Sequence, residues 1–223
     1  MPVSSRTAGT ASPGPPAASP GPPAGPSTCP AGLAAAVRRA VAAGEDPRQT
    51  ADRVARALRR HLPGPEILTP VQLRGAPDRY QTHLLHVEPG GSFSIAAMVW
   101  RPGQLTPIHD HVSWCVTGVL QGTEYEEIFT ASPAPLPASG PAPGSAPLPA
   151  SGPAPGGRFL TEVVRRENPP GTVAGFTPPG DIHRVRNSGT GIAVSMHIYG
   201  ADLSRLGSSI RRVYDLPVRA AAQ

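Results

Sequence analysis

The sequence contains no lysine, so all 20 of its basic residues are arginine. It has only two cysteines, Cys29 in a proline-rich segment and Cys115 far from it, and these do not form a disulfide framework. No apolar run approaches the length of a membrane span, and the N-terminus lacks the cationic and apolar regions of a signal peptide. These absences argue against secretion and membrane insertion, and we expect a protein of the reducing cytoplasm.

The net charge of +5 raises the question of nucleic-acid binding. The arginines are spread over the whole chain, with no basic stripe interleaved with aromatic residues and no nucleic-acid motif. We therefore predict neither a nucleic acid nor a membrane as a partner, and no pattern indicates an oligomeric state.

Proline and glycine are abundant, at 31 and 25 residues, and the prolines are concentrated in two segments. One segment covers residues 10–30, and the other covers 131–157, where "APLPASGPAPG" occurs at 134–144 and again at 146–156. Neither has the apolar surface that would offset the entropy of ordering. We predict a disordered tail over 1–30 and one domain over 31–223, interrupted by a proline-rich insertion at 131–157.

The rest of the chain changes its hydrophobic period near residue 80. Before it, Leu33, Val37 and Val41 recur at helical spacing, and Asp46 followed by Pro47 is a typical helix start. After it, "SFSIAAMVW" (92–100) and "GIAVSMHIYG" (191–200) alternate with period two. Short strands without a βαβ rhythm predict an all-β core, a small antiparallel barrel or sandwich, with two short amphipathic helices packed outside.

The segment "TPIHDHVSWC" (106–115) carries the first indication of chemistry. On a strand, His109, His111 and Cys115 would share one face, and two imidazoles side by side can bind a metal ion. A histidine pair of this kind also occurs on plain polar surfaces, so the spacing alone leaves both interpretations open.

Two longer motifs favour the metal site. Residues 103–122 have the form G-x5-H-x-H-x3-C-x6-G, and "PPGDIHRVRN" (178–187) contains P-x-G-x2-H-x3-N. Over residues 80–200 the chain thus resembles the cupin family, with a cysteine where many cupins have a metal-binding glutamate. This resemblance implies a cupin barrel in which His183 joins His109 and His111 at one metal. Three imidazoles leave one side of the metal open and favour an anionic ligand, although they would also suit zinc.

The final strand carries Ser195, His197 and Tyr199 on one face. Combined with the three histidines and Cys115, this set resembles the cysteine dioxygenase family of thiol dioxygenases. The resemblance implies Fe(II) as the cofactor and a small thiol and O2 as substrates, with both oxygen atoms added to sulfur to give a sulfinate. It implies that Tyr199 is a hydrogen-bond donor near bound oxygen, that His197 and Ser195 orient it, and that Cys115 forms a thioether with Tyr199.

The sequence has features of two branches of this family, which act on different substrates. The glutamine at position 81 resembles the bacterial 3-mercaptopropionate dioxygenase branch. That branch draws its carboxylate-binding arginine from the segment after the tyrosine. The resemblance therefore implies Arg212 as the carboxylate-binding residue here, with Arg211 as the alternative. That branch usually has glycine where this chain has Cys115, so features of both branches are mixed. Two other readings remain: a non-catalytic metal-binding cupin, and a different cupin enzyme such as an isomerase or a zinc hydrolase.

Overall fold

The computed structural model describes residues 29–44, 46–132 and 158–220. Two helices open the described chain, α1 (Ala31–Ala42) and α2 (Pro47–His61). Asp46 caps α2, since its Oδ1 accepts hydrogen bonds from the backbone N–H groups of Arg48 and Gln49 at 2.9 and 3.0 Å. The two predicted helices are therefore confirmed. None of the helices within the described ranges is both long and apolar enough to cross a membrane.

Eleven strands occupy the described part of the chain and form two sheets. The strand order is β1-β2-β9-β4-β7 in the first sheet and β10-β3-β8-β5-β6-β11 in the second. Every pair is antiparallel except β11 with β6. The predicted all-β core is confirmed, with this one parallel pair as a difference. The strands are β1 (Gln81–Val87), β2 (Ser94–Trp100), β3 (His109–His111), β4 (Cys115–Gln121), β5 (Glu124–Ala131), β6 (Leu160–Asn168), β7 (Val173–Phe176), β8 (His183–Asn187), β9 (Ala193–Tyr199), β10 (Ile210–Val213) and β11 (Val218–Ala220).

Short helical segments lie between these strands. Two 3-10 helices, Pro65–Ile67 and Gln72–Arg74, precede β1, and the single-turn helix α3 (Leu203–Leu206) lies between β9 and β10. The turn of Gln72–Arg74 contacts β2 and α3 contacts β1, so both lie beside the first sheet.

The main core lies between the first sheet and the two helices. Gly118 of β4 allows α2 to come close, because a Cβ there would lie 2.7 Å from Leu62 Cδ1 and 2.9 Å from Leu58 Cδ2. The apolar side chains of β2 and β9 that alternate toward α1 and α2 are fully buried in this core, as are the helix residues that meet them. The members with no exposed surface include Leu33, Val37, Val54, Leu58, Phe93, Ile95, Ala97, Val99, Val116, Val194, Met196 and Ile198.

Two predicted boundaries shift by a few residues. Cys29, assigned to the tail, is half-buried and packs against the main core, and Pro30 precedes α1 and accepts its first backbone hydrogen bonds. Ala131, assigned to the insertion, is the last residue of β5 and pairs with Leu160. Most of the predicted tail (1–28) and of the predicted insertion (133–157) lies outside the described residues.

Candidate metal centre

Three buried histidines from two neighbouring strands form one cluster. His109 and His111 are the two ends of β3, and His183 begins β8, where it pairs directly with His109. One ring nitrogen of each residue lies within 4.8 Å of those of the other two. The grouping predicted from the paired motifs is therefore present.

The second ring nitrogen of each histidine has a fixed partner. His109 Nδ1 lies 2.9 Å from the carbonyl oxygen of Pro107, His111 Nδ1 lies 3.0 Å from Asp181 Oδ2, and His183 Nδ1 lies 2.7 Å from Glu126 Oε1. All three partners are acceptors, so each Nδ1 carries the proton and each Nε2 keeps its lone pair free. The tautomer required of a metal ligand is thus set at all three positions.

The protonation states agree with this assignment. Burial lowers the pKa of His109 well below its usual value, and the nearby His183 and His111 lower it further. Burial also lowers the pKa of His111. Although burial alone would raise the pKa of Glu126, its hydrogen bond to His183 and its ion pair with Arg166 bring the value down to about 2. Neutral imidazoles supported by an ionised carboxylate are suited to a divalent cation.

The donor set fits a transition metal. Three imidazoles converge from one side, and imidazole nitrogen is a ligand for iron, zinc, copper and nickel. The ionised Glu126 and Asp181 lie behind the ligands and supply negative charge without occupying the open side. The residues present could therefore hold a metal ion with positions left for other ligands.

The three histidines line one wall of a cavity of about 910 Å³. Such a volume lies in the range typical of small-molecule sites. The other walls are mostly apolar and come from both sheets, from the turn of Gln72–Arg74 and from α3 with the segment after it. Side chains that bound it include Met98, Trp100, Phe176, Val185, Leu203 and Ile210.

A hydrogen-bonded chain on β9 leads into this cavity. Tyr199 OH lies 3.1 Å from His197 Nδ1, and His197 Nε2 lies 2.9 Å from Ser195 Oγ. All three residues are buried, and Tyr199 and His197 line the cavity. Burial raises the pKa of Tyr199 well above its usual value and lowers that of His197 to about 3. The chain is therefore neutral, and its phenol lies beside His111, with ring centroids 6.3 Å apart.

Cys115 is the direct cross-strand neighbour of Tyr199. The two residues pair in the register of β4 and β9, and the thiol interacts with the phenol. Cys115 has no exposed surface, and burial raises the pKa of its thiol well above the ordinary value. The structure thus brings together the cysteine and tyrosine that the family resemblance linked.

The register of β1 puts Gln81 in a different setting from the one expected. Thr82 pairs with Met98, which lines the cavity, and Tyr80 stacks on Trp100 with ring centroids 4.5 Å apart. Gln81 borders the cavity but pairs with Val99, whose side chain faces the helices. Because side chains alternate along a strand, the polar residue that β1 turns toward the cavity is Thr82.

The two arginines predicted to bind a carboxylate lie outside the cavity wall. Arg211 pairs with Asp110, with Nη2 2.5 Å from Oδ2, and Arg212 lies over the ring of Tyr214 at 5.7 Å. Both belong to β10, on the outer side of β3, and the lining contains neither. The arginine that does border the cavity is Arg74, an exposed residue whose side chain makes no hydrogen bond or ion pair within the described ranges.

Sequence reasoning missed the residues that fix the ligands. Asp181 lies two residues before His183, and its Oδ2 accepts hydrogen bonds from both the backbone N–H and the ring of His111. Because Asp181 lies inside the second motif, the sequence offered a signal that could have identified it. Glu126 lies on β5, and the sequence gave no signal for it, since its contact with His183 spans 57 residues.

Comparison with known proteins finds solved structures of low similarity to this chain. No family model matches the chain. A cupin superfamily protein from Desulfitobacterium hafniense is 10% identical, with a TM-score of 0.37 over 60% of this chain and 84% of the other. The Cupin_2 domain of an XRE family transcriptional regulator from Enterobacter cloacae is 15% identical, with a TM-score of 0.34 over 54% of this chain and 95% of that one. An oxalate decarboxylase from Lactobacillus farciminis is 14% identical, with a TM-score of 0.37 over 57% of this chain and 30% of that one.

The fold and the site define the class of this protein. Two β-sheets enclose a cavity, and the histidines of both sequence motifs meet on its wall. Its site is a candidate metal centre of three histidines with one open side.

Proposed function

We propose that this protein is an iron(II)-dependent thiol dioxygenase that converts a small thiol and O2 into a sulfinate. The observation that carries the proposal is the convergence of two sets of residues on one cavity: the three histidines and the chain of Tyr199, His197 and Ser195. A metal site alone would suit many cupins. A buried phenol held beside it by two further polar groups is a specific addition.

His109, His111 and His183 would hold the iron, with their Nδ1 atoms fixed by Pro107, Asp181 and Glu126. When bound, Fe(II) would supply the redox chemistry that O2 requires. The overall reaction is RSH + O2 → RSO2H, in which sulfur loses four electrons, the two oxygen atoms gain them, and both atoms end on sulfur.

The protein residues would orient the reactants and manage the proton. Tyr199 can donate a hydrogen bond toward an oxygen atom in the cavity, because its hydroxyl is held by His197 on its other side. The high pKa of Tyr199 keeps the phenol protonated and available as a donor at neutral pH. The apolar walls, including Met98 and Phe176, limit water around the reacting sulfur.

The substrate class within this proposal is a thiol carboxylate, either cysteine or 3-mercaptopropionate. Gln81 borders the cavity, and Arg212 and Arg211 are retained as candidates for the carboxylate contact, although Asp110 already pairs with Arg211. Arg74 adds a cation on the cavity wall itself. A guanidinium that pairs with a carboxylate gives both affinity and orientation.

An oxygen-electrode assay tests the function directly. Iron-loaded protein is supplied with cysteine, 3-mercaptopropionate and cysteamine, and sulfinate is measured by mass spectrometry. We expect one sulfinate formed for each O2 consumed. Iron binding without oxygen uptake on any thiol would identify a non-catalytic metal-binding cupin instead.

A histidine substitution tests the metal assignment. His183→Ala should reduce bound iron from about one per chain to near zero while the far-ultraviolet circular dichroism stays unchanged. The matched control is His61→Ala at the exposed end of α2, which should leave the iron content intact. Full iron content in His183→Ala would refute the assignment of the third ligand.

A further inference from the structure

A second, smaller groove lies on the surface of α1 and α2. Its volume is about 310 Å³, and it shares no lining residue with the cavity of the metal centre. Nothing in the proposed chemistry uses it. We call it the basic groove, because four arginines and one histidine are among its lining residues, which are Ala36, Arg39, Ala40, Arg53, Arg56, Ala57, Arg60 and His61.

Helical spacing brings these residues together. Arg53, Arg56 and Arg60 follow one another at intervals of three and four residues, so they share one face of α2. The start of α1 lies beside the end of α2, since a Cβ on Gly32 would be 3.5 Å from His61 Nδ1. The two helices therefore run side by side in opposite directions, and the groove lies between them.

Small side chains keep the groove open. Ala36 and Ala40 of α1 and Ala57 of α2 are buried, and each side chain ends at Cβ. The arginines around them are exposed. The groove thus has an uncharged floor and walls that carry guanidinium groups.

Other arginines of the same helices attach them to the barrel. Arg38 pairs with Glu88, with Nε 2.5 Å from Oε1 and Nη2 3.0 Å from Oε2. Arg59 Nη2 donates to the carbonyl oxygen of Val173 at 3.0 Å. These two residues have a structural role that their contacts explain.

The arginines of the basic groove lack such a role. The side chains of Arg39, Arg56 and Arg60 make no hydrogen bond or ion pair with any described residue. Arg39 and Arg60 lie in the last turns of their helices, where the helix dipole favours a cation, but Arg56 does not. Arg56 and Arg60 are also four residues apart on one helix, a spacing at which like charges repel.

The chain itself does not supply the negative charge that would complement the groove. None of the described residues that line it is acidic. In the remaining parts of the chain the sequence contains a single acidic residue, Glu45, and the proline-rich segments contain none. One carboxylate cannot balance several guanidinium groups, so the complementary charge must come from an external anion.

We propose that the basic groove binds a small anion that carries phosphate groups. A phosphate monoester presents three acceptor oxygens and about two negative charges at neutral pH. Guanidinium groups pair with it through parallel hydrogen bonds, and several arginines can contact one phosphate group. The volume of the groove is at the lower end of the range for small-molecule sites, which favours a compact ligand. The proposal is independent of the metal centre and of the proposed function.

Calorimetric titration with inorganic pyrophosphate tests the proposal. The full-length protein is freed of metal, so that a bound metal ion cannot take up the probe. We expect saturable binding at one site per chain with a Kd of about 1 mM or lower. Absence of saturable binding up to about 10 mM pyrophosphate would overturn the proposal.

Variants of α2 assign the binding to the groove. Arg56→Ala and Arg60→Ala should each weaken pyrophosphate binding by about tenfold, because each removes a charged hydrogen-bond donor. Alanine is favourable in helices, and circular dichroism confirms that the variants are folded. The matched control is Arg48→Ala, which removes the same charge from the exposed first turn of α2 outside the groove and should bind as the wild type does. Equal losses in Arg48→Ala and Arg56→Ala would show general charge attraction and refute the site.

Two larger probes identify the source of the phosphate. Vesicles of phosphatidylcholine and phosphatidylserine test a membrane surface, and a single-stranded oligonucleotide tests a nucleic acid. We expect the protein to bind neither, because the groove is compact and no continuous basic stripe extends from it. Binding of either larger probe that is lost in Arg56→Ala would overturn the proposal of a small ligand.

Discussion

Glu126 Oε1 lies 2.7 Å from Nδ1 of His183, and the same carboxylate holds Arg166 through its other oxygen. The contact joins β5 to β8 and fixes both the rotamer and the tautomer of the predicted third ligand. It also places a negative charge directly behind the metal site.

Neutralising this carboxylate should weaken metal binding. Glu126→Gln keeps the side-chain size but removes the charge, so we expect an affinity for Fe(II) about 10- to 100-fold lower than in the wild type. Competition with a chelator of known affinity measures the change. Glu162→Gln, on the neighbouring strand and without contact to the histidines, is the control and should bind as the wild type does. Equal affinities for Glu126→Gln and the wild type would show that His183 needs no such support.

The pairing of Cys115 with Tyr199 predicts a covalent product. Oxidation of the two side chains to a thioether removes a pair of hydrogen atoms, and their cross-strand register brings sulfur and ring together. After prolonged turnover with iron, thiol and O2, peptide mass spectrometry should find the linked peptides at the correspondingly lower mass. Cys115→Ser is the control that cannot form the link. If wild-type protein stays unlinked, Cys115 is a packing residue and Cys115→Gly should retain activity.

Arg74 and Arg212 differ in their position relative to the cavity, so replacing each should affect the binding of thiol carboxylates differently. Because Arg74 borders the cavity and Arg212 does not, Arg74→Ala should raise the KM for thiol carboxylates by about tenfold or more, while cysteamine, which has no carboxylate, is affected much less. Arg212→Ala is the matched comparison and, from its position over Tyr214, should change either KM little. A larger rise in KM for Arg212→Ala than for Arg74→Ala would identify Arg212 as the residue that contacts the substrate carboxylate. It would also imply that β10 moves when substrate binds.

The proline-rich insertion joins two strands whose ends are already in contact. Ser132 N–H donates to Phe159 O at 2.9 Å, and Phe159 N–H donates to Ser132 Oγ at 2.9 Å. Replacing residues 134–156 by a short glycine-containing turn should therefore close a β5–β6 hairpin, and loop entropy changes only slowly with length. We expect the melting temperature to shift by no more than about 4 °C. A large loss of stability would mean that the insertion packs against the barrel.

Burial raises the pKa of Glu124, the first residue of β5. This shift predicts how the contribution of Glu124 to the free energy of unfolding varies with pH. Its folded-state value of about 7 exceeds the ordinary value of 4.5, so its contribution is fully present below about pH 4.5 and declines as pH rises to about 7. Relative to Glu124→Gln, which does not titrate, the free energy of unfolding of the wild type should fall by about 3 kcal/mol over this range. Urea denaturation of metal-free protein at several pH values measures the difference. A difference independent of pH would show that the folded-state pKa is not raised.

The alternation of side chains along each strand was enough to predict much of the site. In a strand, residues two apart share a face, so His109 with His111 and Ser195 with Tyr199 could be grouped from the sequence. The helix start at Asp46 was equally local, because a side chain caps backbone groups only two or three residues away. The place of His183 came from the second of two paired motifs that resemble those of cupins, because alternation along one strand does not reveal a contact between strands.

Only the tertiary structure decided which faces and partners those elements present. A one-residue difference in register turns every side chain of a strand to the other face, and it is the pairing of β1 with β2 that directs Thr82 rather than Gln81 toward the cavity. Likewise, Arg211 is held by Asp110 and His183 by Glu126, contacts that span 101 and 57 residues. The sequence determined the local alternation and the helix cap because their energies depend on near neighbours. The register and the ion pairs depend on the packing of distant strands, so they were decided by the fold.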